Sequence, residues 1–510
     1  MPKNIIVCAD GTGNKGGSTP DSNVYKVYKS VNKYFKGSAQ DGFEVDEQII
    51  FYDNGVGTKK DKYLRMLGGA FGFGFEDNVC DLYKFLARNY EPGDRVYFFG
   101  FSRGASTVRA CSGFISICGL AKGKGLRNRE LDKLVKEAFD AYKVHVKKPE
   151  DAEELKKSER SHGVIDIHFM GVWDTVVALG FPKRTDITGP VSAILNALSW
   201  LANKGLDQIW PHSFYNYRLA DNVKYAYQAL AIDDERTAFW PFVWREKGRE
   251  ADKVEQVWFA GMHSNVGGGY ARSGMASIPL HWMLLRAKKR GLTFDDDAIQ
   301  KALEDSHIHG RMYNSRDGFA IFYRYHPRDI EKLCDNRLEG DIRLHRSVIE
   351  RINHRTADYA PGQLPGKFTV VESDTEASPE PRNPGKDPKW AKIQAEIDQW
   401  VLRRKGLYAA MLTFTLAIVF TAFRLWICPP QPVIREGFWG DLADILDYIL
   451  PDFFDGLINV AAAQHYYLFI GAAIVVYVYV RIRRWCRIKT TDACERLRHL
   501  IIHEAVEDNG

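Results

Sequence analysis

The chain has 510 residues, 45% hydrophobic and 26% charged, proportions that fit a folded protein rather than a disordered one. Its length corresponds to about two to four domains. Lys and Arg number 70 against 65 Asp and Glu, a net charge of +5, too even to point to nucleic acid as a partner. A mean hydropathy of −0.31 excludes a polytopic membrane protein but leaves room for one or two spanning segments. The eight cysteines are scattered without a CxxC pair, so neither a zinc site nor a disulfide framework is expected, and the reading includes no metal and no cofactor. The opening MPKNIIVCADG runs into a strand-like stretch with no signal-peptide core, which predicts a start in a reducing cytosol.

Residues 1–375 read as one α/β domain. Short apolar runs at 5–9, 48–52, 95–99, 166–172, 225–232 and 256–260 are each followed within two residues by Gly or Asp, the pattern of strands buried on both faces of a parallel sheet. Between them, 78–90 carries Val79, Leu82, Tyr83 and Leu86 at helical spacing, and 102–118 follows the third run directly. Strands alternating with helices predict a doubly wound, mostly parallel sheet with right-handed crossovers.

A stretch rich in Pro, Ser and charge, DTEASPEPRNPGKDPKW, reads as the start of a linker that passes into a charged helix at 389–405, together 376–405. Residues 406–485 then read as a transmembrane hairpin with spans at about 407–428 and 463–480, since a span needs about 20 apolar residues. Arg403, Arg404 and Lys405 flank one span and Arg481, Arg483 and Arg484 the other, whereas the loop between carries acids. The positive-inside rule puts both ends, the 486–510 tail and the α/β domain on the cytoplasmic side. The loop itself alternates acids with large apolar residues, as an interfacial helix or an oligomerisation surface would.

Gly100-Phe101-Ser102-Arg103-Gly104 has the GxSxG form between a strand and a helix, the context in which a serine hydroxyl is exposed on a strained turn. A hydroxyl becomes nucleophilic only when a base takes its proton. His263, at the end of VWFAGMH and before SNVGGG, is the candidate base. Two acids compete to orient it, Asp174 after FMGVW and Asp233 after ALAI, with the adjacent Asp234 a lesser option. Counting the serine strand as the fifth of an α/β-hydrolase sheet favours Asp233, after the seventh. The oxyanion donors expected are the N–H of Arg103 and that of Gly11 or Thr12 in the ADGTGN loop. The apolar stretch 191–206 reads as a lid or lipid-docking helix, or as a helix packed on the sheet.

Taken together, ADGTGN at 9–14, YDNGVGT at 52–58, the run at 72–106 that contains GFSRGAS, GVWDTV at 171–176, ALAIDDERTAF at 229–239 and FAGMHSNVGGGY at 259–270 resemble the α/β-hydrolase domain family that includes the Tle1-like phospholipase effectors of type VI secretion. The resemblance implies a Ser-Asp-His triad, carried onto Ser102, Asp233 and His263, and acyl-ester hydrolysis of phospholipids. The chain departs from that family at Asn265, where Asp is usual, and near Thr237, where a second Arg is usual. The expected protein is therefore a membrane-anchored phospholipase-like serine hydrolase whose partners are a bilayer, its phospholipid substrate and a homo-oligomer or regulatory protein. The alternatives are an anchored esterase or thioesterase of soluble esters, or a catalytically silent scaffold.

Overall fold

The apolar runs become neighbours in one sheet because each is buried on both faces. The computed structural model describes residues 2–17, 20–55, 74–176, 218–250, 252–373, 378–428, 437–463 and 467–507. Its main sheet has nine strands, numbered here in chain order: β1 (Lys3–Ala9), β2 (Glu47–Asp53), β3 (Arg95–Phe101), β4 (Ile167–Trp173), β5 (Val223–Ala231), β6 (Val254–Phe259), β7 (Ile342–His345), β8 (Phe368–Val371) and β9 (Glu380–Arg382). The order across the sheet is β9-β8-β7-β6-β5-β4-β3-β1-β2, parallel throughout except that β9 runs antiparallel to β8. All six predicted strands are present, within a few residues of their expected ends.

Helices α1 (Asn23–Ser30), α2 (Phe75–Asn89), α3 (Arg103–Cys118), α4 (His263–Gly267), α5 (Gly274–Lys289), α6 (Pro388–Ile427) and α7 (Tyr467–Glu507) carry the argument below. Alternation along β1 divides the core. Ile5, Val7 and Ala9 pack with α2 and α3, and Ile6 and Cys8 pack with α1 and α5 on the opposite face. The spacing that predicted α2 is the one it buries: Val79, Leu82, Tyr83 and Leu86 all face the core.

A third cluster lies at the β7–β9 side. Part of the predicted linker is β9, the edge strand. The predicted charged helix and first span form a single helix, α6, opened by Pro388 and capped by the Asp387 side chain, which accepts the Lys389 N–H at 2.8 Å. Trp390, Ile393, Ile397, Val401 and Tyr408 of α6 share a core with Leu230, Trp258 and Leu344 of the sheet. Ala493, Cys494, Leu497 and Ile501 of α7 join them, so the predicted tail is packed on the α/β domain.

Past that core both helices turn apolar outward: Phe420 is 69% exposed on α6 and Ile474 56% on α7. Among the described residues α6 alone is long and apolar enough to cross a membrane. The second span expected at 463–480 falls on residues 464–466, outside the described residues, and on the start of α7. The predicted lid stretch at 191–206 also lies outside them.

Candidate active site

Ser102 sits where β3 turns into α3, with φ 57° and ψ −122°, a backbone conformation that costs a non-glycine residue free energy and persists only where its surroundings enforce it. The flanking glycines are what permit it. A Cβ on Gly100 would lie 2.6 Å from the Ala105 Cα, and one on Gly104 only 2.1 Å from the Ala9 carbonyl oxygen. Both obstacles are backbone and cannot swing aside. Gly104→Ala is therefore expected to destabilise by about 1–3 kcal/mol or more. Gly406→Ala, in α6 with open space around it, should instead stabilise by about 0.5–1 kcal/mol. Equilibrium unfolding of the two variants checks both signs.

The imidazole of His263 closes on this turn. Its Nε2 is 2.8 Å from the Ser102 Oγ and its Nδ1 is 2.6 Å from Asp174 Oδ2. Asp174 immediately follows β4, the strand beside β3, with Trp173 paired to Phe101 and the Trp173 carbonyl accepting the Ser102 N–H at 3.1 Å. At φ 41° the backbone of Asp174 is also in the left-handed region. Its carboxylate accepts the Ala231 N–H at 3.0 Å and two hydrogen bonds of 2.7 Å from the guanidinium of Arg328, which is fully buried. Burial by itself raises a carboxyl, but the Arg328 charge and the hydrogen bonds from His263 and Arg328 outweigh it and hold Asp174 well below the ordinary carboxylate range.

His263 opens the short helix α4. The turn is seated by close packing: a Cβ on Gly267 would overlap the Phe101 ring at 1.9 Å. From α1, Asn23 donates its amide to the Val266 carbonyl at 2.8 Å. The Phe101 and Phe239 rings lie 4.6 and 5.0 Å from the imidazole centroid. Burial lowers the His263 pKa and the hydrogen bond to Asp174 works against it, leaving it below the ordinary value. The ring is thereby neutral near pH 7 and able to take a proton. Asn265, one of the departures from the resembled family, braces the same turn by donating to the Arg311 carbonyl at 3.1 Å.

The acid favoured by strand counting is elsewhere. Asp233 follows β5, one strand farther from β3, and each strand adds about 4.8 Å. Its carboxylate accepts the Gly261 N–H at 2.6 Å and the Tyr359 hydroxyl at 2.8 Å, and burial raises its carboxyl to about 6. Asp234 is turned to Arg236, which it holds through two contacts of 3.0 and 2.6 Å, and it accepts the His263 backbone N–H at 3.4 Å. The carboxylate beside the imidazole is that of Asp174, the alternative acid.

The ADGTGN loop lies against the serine, since a Cβ on Gly11 would be 3.2 Å from the Ser102 Cβ. Gly11 is nonetheless a poor oxyanion donor, because its N–H is 2.6 Å from Asp10 Oδ1. Asp10 also accepts from Asn14, Ser22 and Tyr52 and so fixes the loop. The N–H groups of Thr12 and Arg103 have no acceptor among the described residues. The Arg103 guanidinium has no acidic partner among them either, and burial pushes it down to about 10, still charged at neutral pH. The sequence pattern does not single out Arg328. It stands in a loop at HPRDI, 154 residues from Asp174, and nothing in its local pattern marks a buried cation.

Residues 3–286, more than half of the chain, match the profile of the family described as T6SS, Phospholipase effector Tle1-like, catalytic domain. The chain belongs to this family. The matched Tle1-like region runs from β1 through most of α5 and includes Ser102, Asp174 and His263. The chain is also similar to the uncharacterized protein YEL023C of Saccharomyces cerevisiae, at 31% identity over 200 residues, covering 35% of this chain and 27% of that protein. It thus spans about a quarter of the yeast relative's length. Among solved structures, an uncharacterized protein from Pseudomonas aeruginosa is similar at 16% identity and a TM-score of 0.34, covering 81% of this chain and 59% of that one. The Tle1 effector bound to the VgrG spike of the type VI secretion system is similar at 18% identity and a TM-score of 0.26, covering 53% and 51%.

Proposed function

We propose that the protein is a membrane-anchored serine hydrolase that cleaves acyl esters of phospholipids, with Ser102, His263 and Asp174 as its triad. The reading rests above all on the unbroken hydrogen-bond chain from the Ser102 hydroxyl through the imidazole to a buried carboxylate, at 2.8 and 2.6 Å. Ser102 attacks the acyl carbonyl and His263 Nε2 takes the hydroxyl proton, while Asp174 fixes the tautomer and stabilises the imidazolium. The N–H groups of Arg103 and Thr12 receive the oxyanion. His263 returns the proton to the departing alcohol, and water attacking through the same histidine then releases the fatty acid.

Family membership supports a lipid ester as substrate. The Arg103 guanidinium next to the nucleophile, without an acidic partner among the described residues, supports a substrate with a phosphate group. The outward apolar faces of α6 and α7 support anchoring by both helices, since contiguous exposed apolar surface of this kind is unfavourable in water. The arginines at the domain-side ends of both helices support a cytoplasmic α/β domain.

A fluorophosphonate probe together with product analysis on phospholipid vesicles tests this reading. Wild type should be labelled and release fatty acid. Ser102→Ala should not be labelled and should lose about 10⁶-fold in kcat, as removal of a triad nucleophile does elsewhere. A folded wild type that takes no label overturns the hydrolase. Turnover of small soluble esters without fatty-acid release overturns the lipid substrate alone.

A further inference from the structure

A cavity of about 540 Å³ lies apart from the serine, where α6 and α7 meet the end of the sheet. None of Ser102, His263 or Asp174 lines it. Its size falls within the range of small-ligand sites, about 300–1,000 Å³. Arg404 of α6 and Arg483, Arg484 and Arg487 of α7 line it. Arg404 is paired with Glu235 at 3.1 Å, but the three arginines of α7 have no acidic partner among the described residues. The acids in its wall are Asp233, engaged by Gly261 and Tyr359, Glu235, engaged by Arg404, and Asp358.

Two further observations mark the cavity as a site rather than a crevice. Tyr325, 1% exposed, lines it with a hydroxyl that has no hydrogen-bond partner among the described residues, a cost the fold bears unless something supplies one. The face of that ring is covered by the guanidinium groups of Arg404 at 4.2 Å and Arg316 at 5.0 Å, which concentrates positive charge behind the hydroxyl. Position supplies the other. Val480, at the rim, is 52% exposed and closes the apolar stretch of α7, and Arg483 follows less than one turn later. The cavity therefore opens at the level where an apolar surface gives way to a basic one.

We propose that this junction cavity binds a phosphate-bearing anion, either the head group of an anionic phospholipid or a soluble phosphate, through Arg483 and Arg487 with the Tyr325 hydroxyl. Guanidinium groups match phosphate oxygens bidentately, and basic pockets between membrane helices on the cytoplasmic side suit anionic head groups. The lipid source rests on the membrane reading above, whereas the soluble source does not. Because Asp233 lies in the cavity wall and holds the Gly261 N–H two residues before His263, occupancy there is one hydrogen bond from the loop that carries the base.

The test uses the full chain in detergent with Ser102→Ala, so that no lipid is consumed, and reads the thermal midpoint. Dioctanoyl phosphatidic acid should raise the midpoint and dioctanoylglycerol should not. Arg483→Gln with Arg487→Gln should weaken the response at least about tenfold, with the unliganded melt serving as the folding control. Tyr325→Phe, which removes only a hydroxyl without a hydrogen-bond partner among the described residues, should weaken it several-fold without loss of fold. If inorganic phosphate also raises the midpoint, the site takes soluble phosphate. If phosphate is silent while the lipid acts, the source is the bilayer. Equal responses to the two lipids, a response that survives both variants, or no response to either anion overturns the proposal. No step needs ester hydrolysis, so a protein that binds the anion yet takes no fluorophosphonate would refute the hydrolase and leave this site standing.

Discussion

Asp174→Asn should lower kcat by about 10⁴-fold, whereas Asp233→Asn should leave it within a few-fold of wild type. The size of the first effect is that of replacing the triad carboxylate in a serine protease, where the amide presents the imidazole in the wrong tautomer. The second follows from contacts. Asp233 touches neither the imidazole nor the serine but accepts the Gly261 N–H and the Tyr359 hydroxyl. Both land on Oδ2, so an asparagine that places its amide oxygen there keeps both hydrogen bonds. Steady-state rates on a chromogenic ester and fluorophosphonate labelling rates would decide between the two acids. A comparable loss in Asp233→Asn would return that residue to the triad.

Asp233 should show itself in stability instead. Burial raises its folded-state carboxyl to about 6, so the folded protein holds this proton more tightly than the unfolded chain does. The contribution is complete below the unfolded value, near 4, and is lost as pH rises through about 6; it is worth about 3 kcal/mol. The two acids thus belong to opposite classes. Asp174 is kept ionised by a fully buried arginine, whereas Asp233 has hydrogen bonds but no paired cation among the described residues, and burial raises it.

The strand pattern was legible because burial on both faces writes continuous apolar runs, and β1 to β6 all follow from it. The runs of β7 to β9 are only four, four and three residues long, too short to rise above their surroundings, and β9 lies in a stretch whose Pro and charge read as linker. Ser102 and His263 were legible because a strained turn and a close-packed loop both demand glycines at fixed offsets. The choice between Asp174 and Asp233 was not, because both follow apolar strands and only lateral strand order separates them. That order depends on which strand pairs with β3, a long-range fact that local sequence does not carry. The α6 and α7 ends are hard to read from sequence for a related reason. Their buried residues, such as Trp390, Ile397 and Leu497, are diluted among charges that face solvent, so the sequence shows a charged helix and a tail where the fold shows part of its core.

Arg328→Met should destabilise the protein by about 3–5 kcal/mol near neutral pH, the usual cost of leaving one member of a buried ion pair uncompensated. Both Asp174 oxygens take a hydrogen bond from this guanidinium, and neither group is exposed. Without the cation, only the hydrogen bonds from His263 and the Ala231 N–H oppose burial, and the Asp174 carboxyl rises. The loss should therefore shrink as pH falls toward about 4 and the orphaned carboxyl takes up a proton. Arg328 touches no reacting atom in the proposed mechanism, so it is a positioning residue acting through Asp174, and stability alone would not reveal that. The double variant Arg328→Met with Asp174→Asn separates the two roles. A neutral amide no longer needs a counter-charge, so much of the lost stability should return while kcat stays as low as in Asp174→Asn. Urea unfolding at the two pH values, set beside ester turnover, reads both. A single variant as stable as wild type, or a double variant that regains activity, would mean that the Arg328–Asp174 pair does not hold the imidazole in place.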